Sequence, residues 1–299
     1  MVNSSASSVT ARARVVIAKA LAADHEVTVA DTARRGHATR LAAGAARDGT
    51  EVVVVLGGDG TLNEAANGLA GTSTALAALP GGSTNVFSRT LGLPDDPIEA
   101  TGVLLEALAR RSIHRIGLGS VDGRYFLFHI GIGFDAAVVE QVERRSSLKR
   151  WASHPLFVWA AFSTWFRHYD RSRPRFSVHL DDGRVVDDGY FGIVFNSNPY
   201  TYLGTRPFDA APEATLDRPL AVLVLRSGKA GAILGLAGLG LLGGGRARRA
   251  PQVDYTPDVT SLRVLGHGPV PYQVDGDFLG ETTELSLRHE PDVLDLVMP

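Results

Sequence analysis

The chain has 299 residues, 44% of them hydrophobic and 21% charged, which suits a folded globular protein with room for two ordinary domains. Its net charge of −2 lacks the basic excess of nucleic-acid binders, so no nucleic-acid partner is expected. With no cysteine there are neither disulfides nor cysteine-held zinc, and without a signal-like start or a run of about 20 apolar residues the expected location is the cytoplasm.

Taken in chain order, the first third alternates helical and extended patterns. Residues 9–23 predict an amphipathic helix, Glu26-Val27-Thr28-Val29 a strand, and residues 37–47 a second helix. Val52-Val53-Val54-Val55-Leu56 reads as a buried parallel strand that runs into Gly57-Gly58-Asp59-Gly60-Thr61. Glycines there allow a tight turn and close approach of backbone N–H groups to an anion. Thr61 and Glu64 have capping-box spacing, so a helix is expected to start at this point. Strand, glycine turn and helix N-terminus together make a phosphate seat. Asp59 inside it makes sense if a divalent cation or a substrate proton lies between carboxylate and phosphate. The same junction also occurs as plain architecture in doubly wound sheets, and Glu64 reads equally as a helix cap. Neither a Walker A loop nor a G-x-G-x-x-G fingerprint is present.

About twenty residues on, a short strand over 76–79 meets Pro80-Gly81-Gly82-Ser83-Thr84-Asn85 and a helix over 86–90. Two successive strand–helix junctions then face one sheet edge, where open α/β folds bind ligands. Asp96-Pro97-Ile98-Glu99 opens a further helix to about residue 110.

Beyond residue 116 the texture becomes that of strands. Residues 116–121 and 125–130 flank Asp122-Gly123 as a hairpin, and further strands are expected over 176–180, 189–195, 220–225, 261–265, 272–274 and 283–287. A helical insertion is expected over about 136–169. It carries all three tryptophans (Trp151, Trp159 and Trp165) between arginine-rich ends. That pattern fits either an interfacial helix on anionic lipid or a core helix with solvated basic ends. The apolar, glycine-dense stretch 230–242 reads as a buried or interfacial helix.

Gly57-Gly58-Asp59-Gly60-Thr61-Leu62-Asn63-Glu64, Pro80-Gly81-Gly82-Ser83-Thr84-Asn85, Gly133-Phe134-Asp135-Ala136 and Gln273-Val274-Asp275-Gly276-Asp277 stand in the order of four motifs of the diacylglycerol kinase catalytic family, which the chain resembles. The resemblance implies a Rossmann-like, doubly wound nucleotide-binding α/β domain over 1–114, rejoined by 289–299. It also implies a β-sandwich-type domain over 115–288 with a helical insertion, and an active site between the two. ATP and Mg2+ are the implied cofactors, and a lipid at the membrane surface is the implied partner of a peripheral, cytoplasmic enzyme; a homodimer is compatible with this.

Transferred residue by residue, Gly57, Gly58, Gly60, Thr61, Asn63 and Glu64 would serve the ATP phosphates, and Ser83, Asn85 and Asp277 would also contact nucleotide. Asn3 and Thr32 match an opening asparagine and a threonine near the adenosine, although each also reads as a turn residue. Asp275 would be the general base and Asp59 its catalytic companion at the phosphates; Asp-Gly at 275–276 is equally a hairpin turn. Asp59, Asp277 and Asp217 are candidates near metal, and Asp135 contacts the acceptor or caps a helix. The chain departs from the family in four ways. Its opening strand is reduced to Met1-Val2, with Ser4 and Ser7 replacing proline and glycine. Val86 and Gly117 stand where lipid kinases have aspartates, Asp277 replaces glutamate, and Asp217-Arg218 replaces Asp-Gly. The expected activity is transfer of the γ-phosphate of MgATP to a lipid hydroxyl such as that of diacylglycerol, giving phosphatidic acid. A sphingoid base, phosphatidylglycerol or NAD as acceptor, and a non-catalytic nucleotide or lipid binder, are the alternatives.

Overall fold

The structure, a computed structural model, describes residues 1–133, 136 and 172–299, which form two compact units: Met1–Leu118 with Pro291–Pro299, and Gly119–Glu290. The fold is mixed α/β in the first and strand-rich in the second. Apart from Ala136, the expected helical insertion lies outside the described residues, as do Asp135 and the three tryptophans.

In the first unit, β1 (Val52–Gly57) and β2 (Ala75–Pro80) pair in parallel, Val52 opposite Ala75 through Gly57 opposite Pro80. Every β2 residue is buried, as a central parallel strand requires. Val2 bridges in parallel to Leu56 on one side and Asp31 on the other. Among the helices, α1 (Ala11–Leu21) packs on α5 (Pro97–Ala109), and α2 (His37–Arg47) packs on α3 (Asp59–Leu69). Gly68 permits the second contact, since a Cβ there would stand 2.4 Å from the Thr39 carbonyl oxygen. α4 (Val86–Thr90) follows β2. Asp96 caps α5 by accepting from the N–H groups of Ile98 and Glu99 at 2.8 and 3.0 Å, with Pro97 in the first turn.

Two sequence expectations fail here. Residues 26–29 form no strand. Of the residues before β1, only Val2 supplies a ladder beside this segment, and Val27 and Val29 remain exposed. The Thr61–Glu64 capping box does not form either: Gly58 is the N-cap of α3 without a side-chain bond, and Glu64 works elsewhere.

β3 (Ile113–Val121) carries the chain into the second unit and β14 (Asp277–Val297) carries it back, where Leu296 pairs with Leu76. Between them lie β4 (Arg124–Phe126), β5 (His129–Gly133), β6 (Phe176–Leu180), β7 (Val185–Gly189), β8 (Phe191–Phe195), β9 (Thr201–Leu203), β10 (Arg206–Phe208), β11 (Leu220–Leu225), α6 (Ala230–Leu241), β12 (Val253–Val259) and β13 (Ser261–Val274). The main path runs β14-β13-β5-β8-β11-β12, antiparallel at every step, with β6 paired to β13 and β7 to β6. One apolar cluster is built around Phe126, Ile130, Phe176 and Val264, and a second around Phe195, Leu223 and Leu236.

Candidate functional site

The two glycine turns of the first unit touch backbone to backbone. Gly81 N–H donates to the Gly57 carbonyl at 2.9 Å. A Cβ on Gly81 would lie 2.8 Å from Gly57 Cα, and one on Gly82 would lie 2.8 Å from Gly58 Cα, so neither position accepts a side chain without moving the other turn. Asn85, at φ 49°, closes the second turn on itself: its Oδ1 accepts from Gly82 N–H at 2.7 Å, and its Nδ2 donates to the Gly82 carbonyl at 3.0 Å. The buried Asn85 is thus a turn-builder. The N–H groups of Gly58, Gly60, Ser83 and Thr84 have no hydrogen-bond partner among the described residues.

Asp59 is half-buried, with its carboxylate directed at the start of α4, where it accepts from Val86 N–H and Phe87 N–H, each at 3.0 Å. Burial pushes this carboxyl above the usual carboxylate range, against the pull of those two donors. One lone pair on each of these two oxygens is thereby taken by a backbone donor. They already neutralise a helix N-terminus. Glu64, expected to cap its own helix or meet nucleotide, instead takes Gly36 N–H at 2.7 Å and Ala38 N–H at 3.1 Å, closing the N-terminus of α2. Gly36 holds φ 74° and supplies no cap of its own, which is why another helix does so. Asn63 is 2% exposed and its Oδ1 accepts from Asn67 Nδ2 at 3.3 Å, which removes it from any open seat.

Asn3 Nδ2 donates to Thr61 Oγ1 at 2.9 Å, while its Oδ1 accepts from Ser5 N–H at 3.1 Å. With its oxygen already accepting, the Thr61 hydroxyl has its proton left to give. Thr32 lies one residue beyond the Asp31 bridge, with its N–H on the Val2 carbonyl at 2.9 Å. Ser83 is exposed. Asn3, Thr61, Gly57, Gly58, Gly60, Gly82 and Asn85 are thus brought together, whereas Asn63 and Glu64 are turned into helix packing.

In the second unit Asp275 and Gly276 form the hairpin turn between β13 and β14, at φ 48° and 82°. The Asp275 carboxylate is buried and accepts three backbone N–H groups: Leu127 at 2.7 Å, Phe128 at 3.1 Å and His129 at 3.0 Å. Two carboxylate oxygens offer about four lone-pair positions, so little accepting capacity remains. Those bonds also break the expected strand over 125–130 into β4 and β5, because residues 127 and 128 spend their donors on a carboxylate instead of a ladder. No local pattern announces a partner 148 residues away.

The His129 main chain is tied to Asp275 in both directions, its carbonyl accepting from Asp275 N–H at 3.0 Å. Its imidazole is buried between the rings of Tyr200 (4.4 Å), Phe128 (5.0 Å) and Phe195 (6.3 Å), and burial holds its pKa at about 3. His129 escaped sequence reasoning, since a histidine in an apolar run carries no distinctive signal. Asp277 pairs with Arg124 at 3.1 Å, and Asp217 is an exposed residue accepting from Thr215 Oγ1 at 2.5 Å. Among the described residues no group of three or more His, Cys, Asp or Glu side chains is gathered for a metal ion.

The family model for the diacylglycerol kinase catalytic domain matches residues 1–121. A "Probable lipid kinase YegS-like" of Chromohalobacter salexigens is 37% identical over 129 residues, which is 42% of this chain and 40% of that protein. A diacylglycerol kinase of Bacillus subtilis is 36% identical over 121 residues, 40% of this chain and 39% of that one. The match therefore spans about two fifths of these curated relatives. A crystal structure of a diacylglycerol kinase from Bacillus anthracis superposes over 100% of this chain and 95% of its own, with a TM-score of 0.70 at 20% identity. An NAD kinase from Archaeoglobus fulgidus in complex with ATP gives a TM-score of 0.53 at 12% identity, over 99% of this chain and 91% of its own. Both are likenesses of fold. Residues 1–121 are thus the part of the chain that is similar to the diacylglycerol kinase catalytic domain family.

Proposed function

We propose that the protein is an ATP-dependent lipid kinase that transfers the γ-phosphate of MgATP to a lipid hydroxyl such as that of diacylglycerol, giving phosphatidic acid. The observation that carries this reading is the open set of N–H donors at Gly58, Gly60, Ser83 and Thr84, on two turns packed backbone to backbone within the family segment. Phosphoryl transfer needs positioning and charge stabilisation more than covalent chemistry, and backbone donors at a helix start supply both. Thr61 adds its hydroxyl proton, Asn3 fixes that hydroxyl, and the family resemblance assigns Thr32 to the adenosine. Asp275 orients the acceptor hydroxyl and takes its proton as the new O–P bond forms and the bond to ADP breaks.

Among the described residues Asp59 accepts from the start of α4, Asp277 pairs with Arg124 and Asp217 accepts from Thr215, and no three such side chains gather at one point. Magnesium belongs here to the substrate, as MgATP. A non-catalytic relative is the second reading, favoured by the commitment of Asp59 and Asp275 to backbone donors and by Val86 and Gly117 in place of aspartates.

The test is transfer of labelled γ-phosphate from MgATP to diacylglycerol, a sphingoid base, phosphatidylglycerol and NAD, with wild type beside Asp275→Asn. Labelled phosphatidic acid that disappears in the variant, with ATP binding kept in both, supports the proposal. Label on NAD alone, or no product while ATP still binds, overturns it.

A further inference from the structure

Between Asp217 and Asp254 the sequence has no acidic residue but six cations: Arg218, Arg226, Lys229, Arg246, Arg248 and Arg249. Residues 230–245, in their midst, carry no charge. The helix α6 fills most of this stretch. Its inner side is held by the second apolar cluster, with Leu236 buried and Ala232, Ile233 and Leu239 packed beside it. Gly240 has a packing reason to be glycine: a Cβ would lie 2.4 Å from the Phe208 ring.

The outer side has no such reason. Gly231, Leu234, Gly235, Gly238 and Leu242 recur at helical spacing and are all exposed, Leu234 at 52% and Leu242 at 68%. A Cβ on Gly231, Gly235 or Gly238 would meet nothing within 4 Å. Glycine is a poor helix former, so three of them on an unfilled face serve neither the helix nor the core.

The cations divide into two sets. Arg218 pairs with Asp258, Arg226 with Asp188 and Arg248 with Glu213. Lys229, Arg246 and Arg249 have no carboxylate partner among the described residues; Arg246 donates only to the Leu242 and Gly243 carbonyls. Lys229 precedes the helix and the two arginines follow it. A lysine at a helix N-terminus is repelled by the positive end of the macrodipole, so its charge calls for an anion from outside.

We propose that the outer face of α6 is a membrane-docking surface. It lies flat in an anionic lipid interface with Leu234 and Leu242 among the acyl chains, and with Lys229, Arg246 and Arg249 on headgroup phosphates. At about 18 Å its 12 residues are too short to cross a hydrocarbon core of about 30 Å. A second copy is the poorer occupant, because antiparallel pairing of two α6 helices sets Lys229 of one against Arg246 and Arg249 of the other. The surface suits an enzyme whose acceptor is a lipid, yet it does not depend on the kinase reading.

Co-sedimentation with phosphatidylcholine vesicles, with and without phosphatidylglycerol and in the absence of nucleotide, tests it directly. Wild type binds the phosphatidylglycerol vesicles, and added salt weakens the binding. Leu234→Glu and Leu242→Glu each lower it roughly tenfold, while Lys229→Glu with Arg249→Glu removes the preference for anionic lipid. Circular dichroism and Tm of these exposed-face variants stay at wild-type values, and Leu234→Gln repeats the test without added charge. Phosphoryl transfer to a soluble short-chain acceptor is the separate control, and these variants leave it unchanged. Equal vesicle binding by wild type and leucine variants overturns the proposal, as does a dimer in sedimentation velocity that Leu234→Glu dissociates.

Discussion

Replacing His129 with Phe should change how stability depends on pH, because the imidazole is buried among Phe128, Phe195 and Tyr200 and titrates at about 3 in the fold. In the unfolded chain the same group titrates near its ordinary value of 6.5. A depressed folded pKa means the unfolded state takes the proton first. Its contribution to stability is therefore complete above about pH 6.5 and is lost as pH falls toward 3. The loss approaches about 1.4 kcal/mol per pH unit and amounts to about 2 kcal/mol by pH 5. Phenylalanine keeps the ring shape and gives up no hydrogen bond at Nδ1, which has no partner among the described residues. Urea unfolding of wild type and His129→Phe at pH 7 and pH 5 isolates this contribution, since every other titrating group cancels in the difference. Wild type should lose about 2 kcal/mol more than the variant over that interval. The same acid loss should carry away the Asp275 turn, because the His129 main chain holds it from both sides. Equal losses in the two proteins, or an imidazole that titrates near 6.5 by NMR in the folded state, would refute the reasoning.

Glu64→Ala should lower stability by about 2 kcal/mol, the cost of stripping a helix N-terminus of two charge-assisted bonds, while ATP affinity below Tm stays unchanged; a selective loss of ATP affinity would restore Glu64 to the nucleotide. Gly82→Ala forces the two turns apart and should lower both Tm in thermal melts and ATP affinity. Gly60→Ala meets nothing within 4 Å, so its Tm should hold or rise slightly while calorimetry shows weaker ATP binding, and unchanged binding would remove Gly60 from the phosphate seat.

What could be read from the sequence was whatever is local. The Asp96-Pro97 cap, the β-branched run of β1 and the helix over 37–47 each contain their own signal, and each stands in the structure where its pattern ends. Distant partners were illegible. Thr61 and Glu64 have the spacing of a reciprocal cap, yet Thr61 meets Asn3 and Glu64 meets Gly36 and Ala38. Residues 125–130 read as one strand because nothing nearby shows that Asp275 takes the donors of 127 and 128. Val27 and Val29 satisfy every local preference for a strand and still lack a ladder, since a strand is a property of pairs. For Asp275 the turn reading is realised in the structure, and a base role must operate from within that turn.

The carboxylates of the motifs therefore pose a question of competition. Asp59 and a phosphate would seek the same donors at the start of α4, and Asp59 already holds the first two, Val86 and Phe87. A phosphate arriving there would face a carboxylate, a repulsion made worse by burial. The donors that remain are at Gly58 and Gly60, where α3 begins, and at Ser83 and Thr84 before α4. Asp59 thus braces the start of α4 and would leave an anion the donors at Gly58, Gly60, Ser83 and Thr84. This assigns the glycine turn a job that glycine alone can do, since a phosphate needs bare backbone on the side of α3 that no side chain occupies. The charge of Asp59 is met by backbone dipoles at the start of α4, which is how an acidic residue stands within this glycine turn.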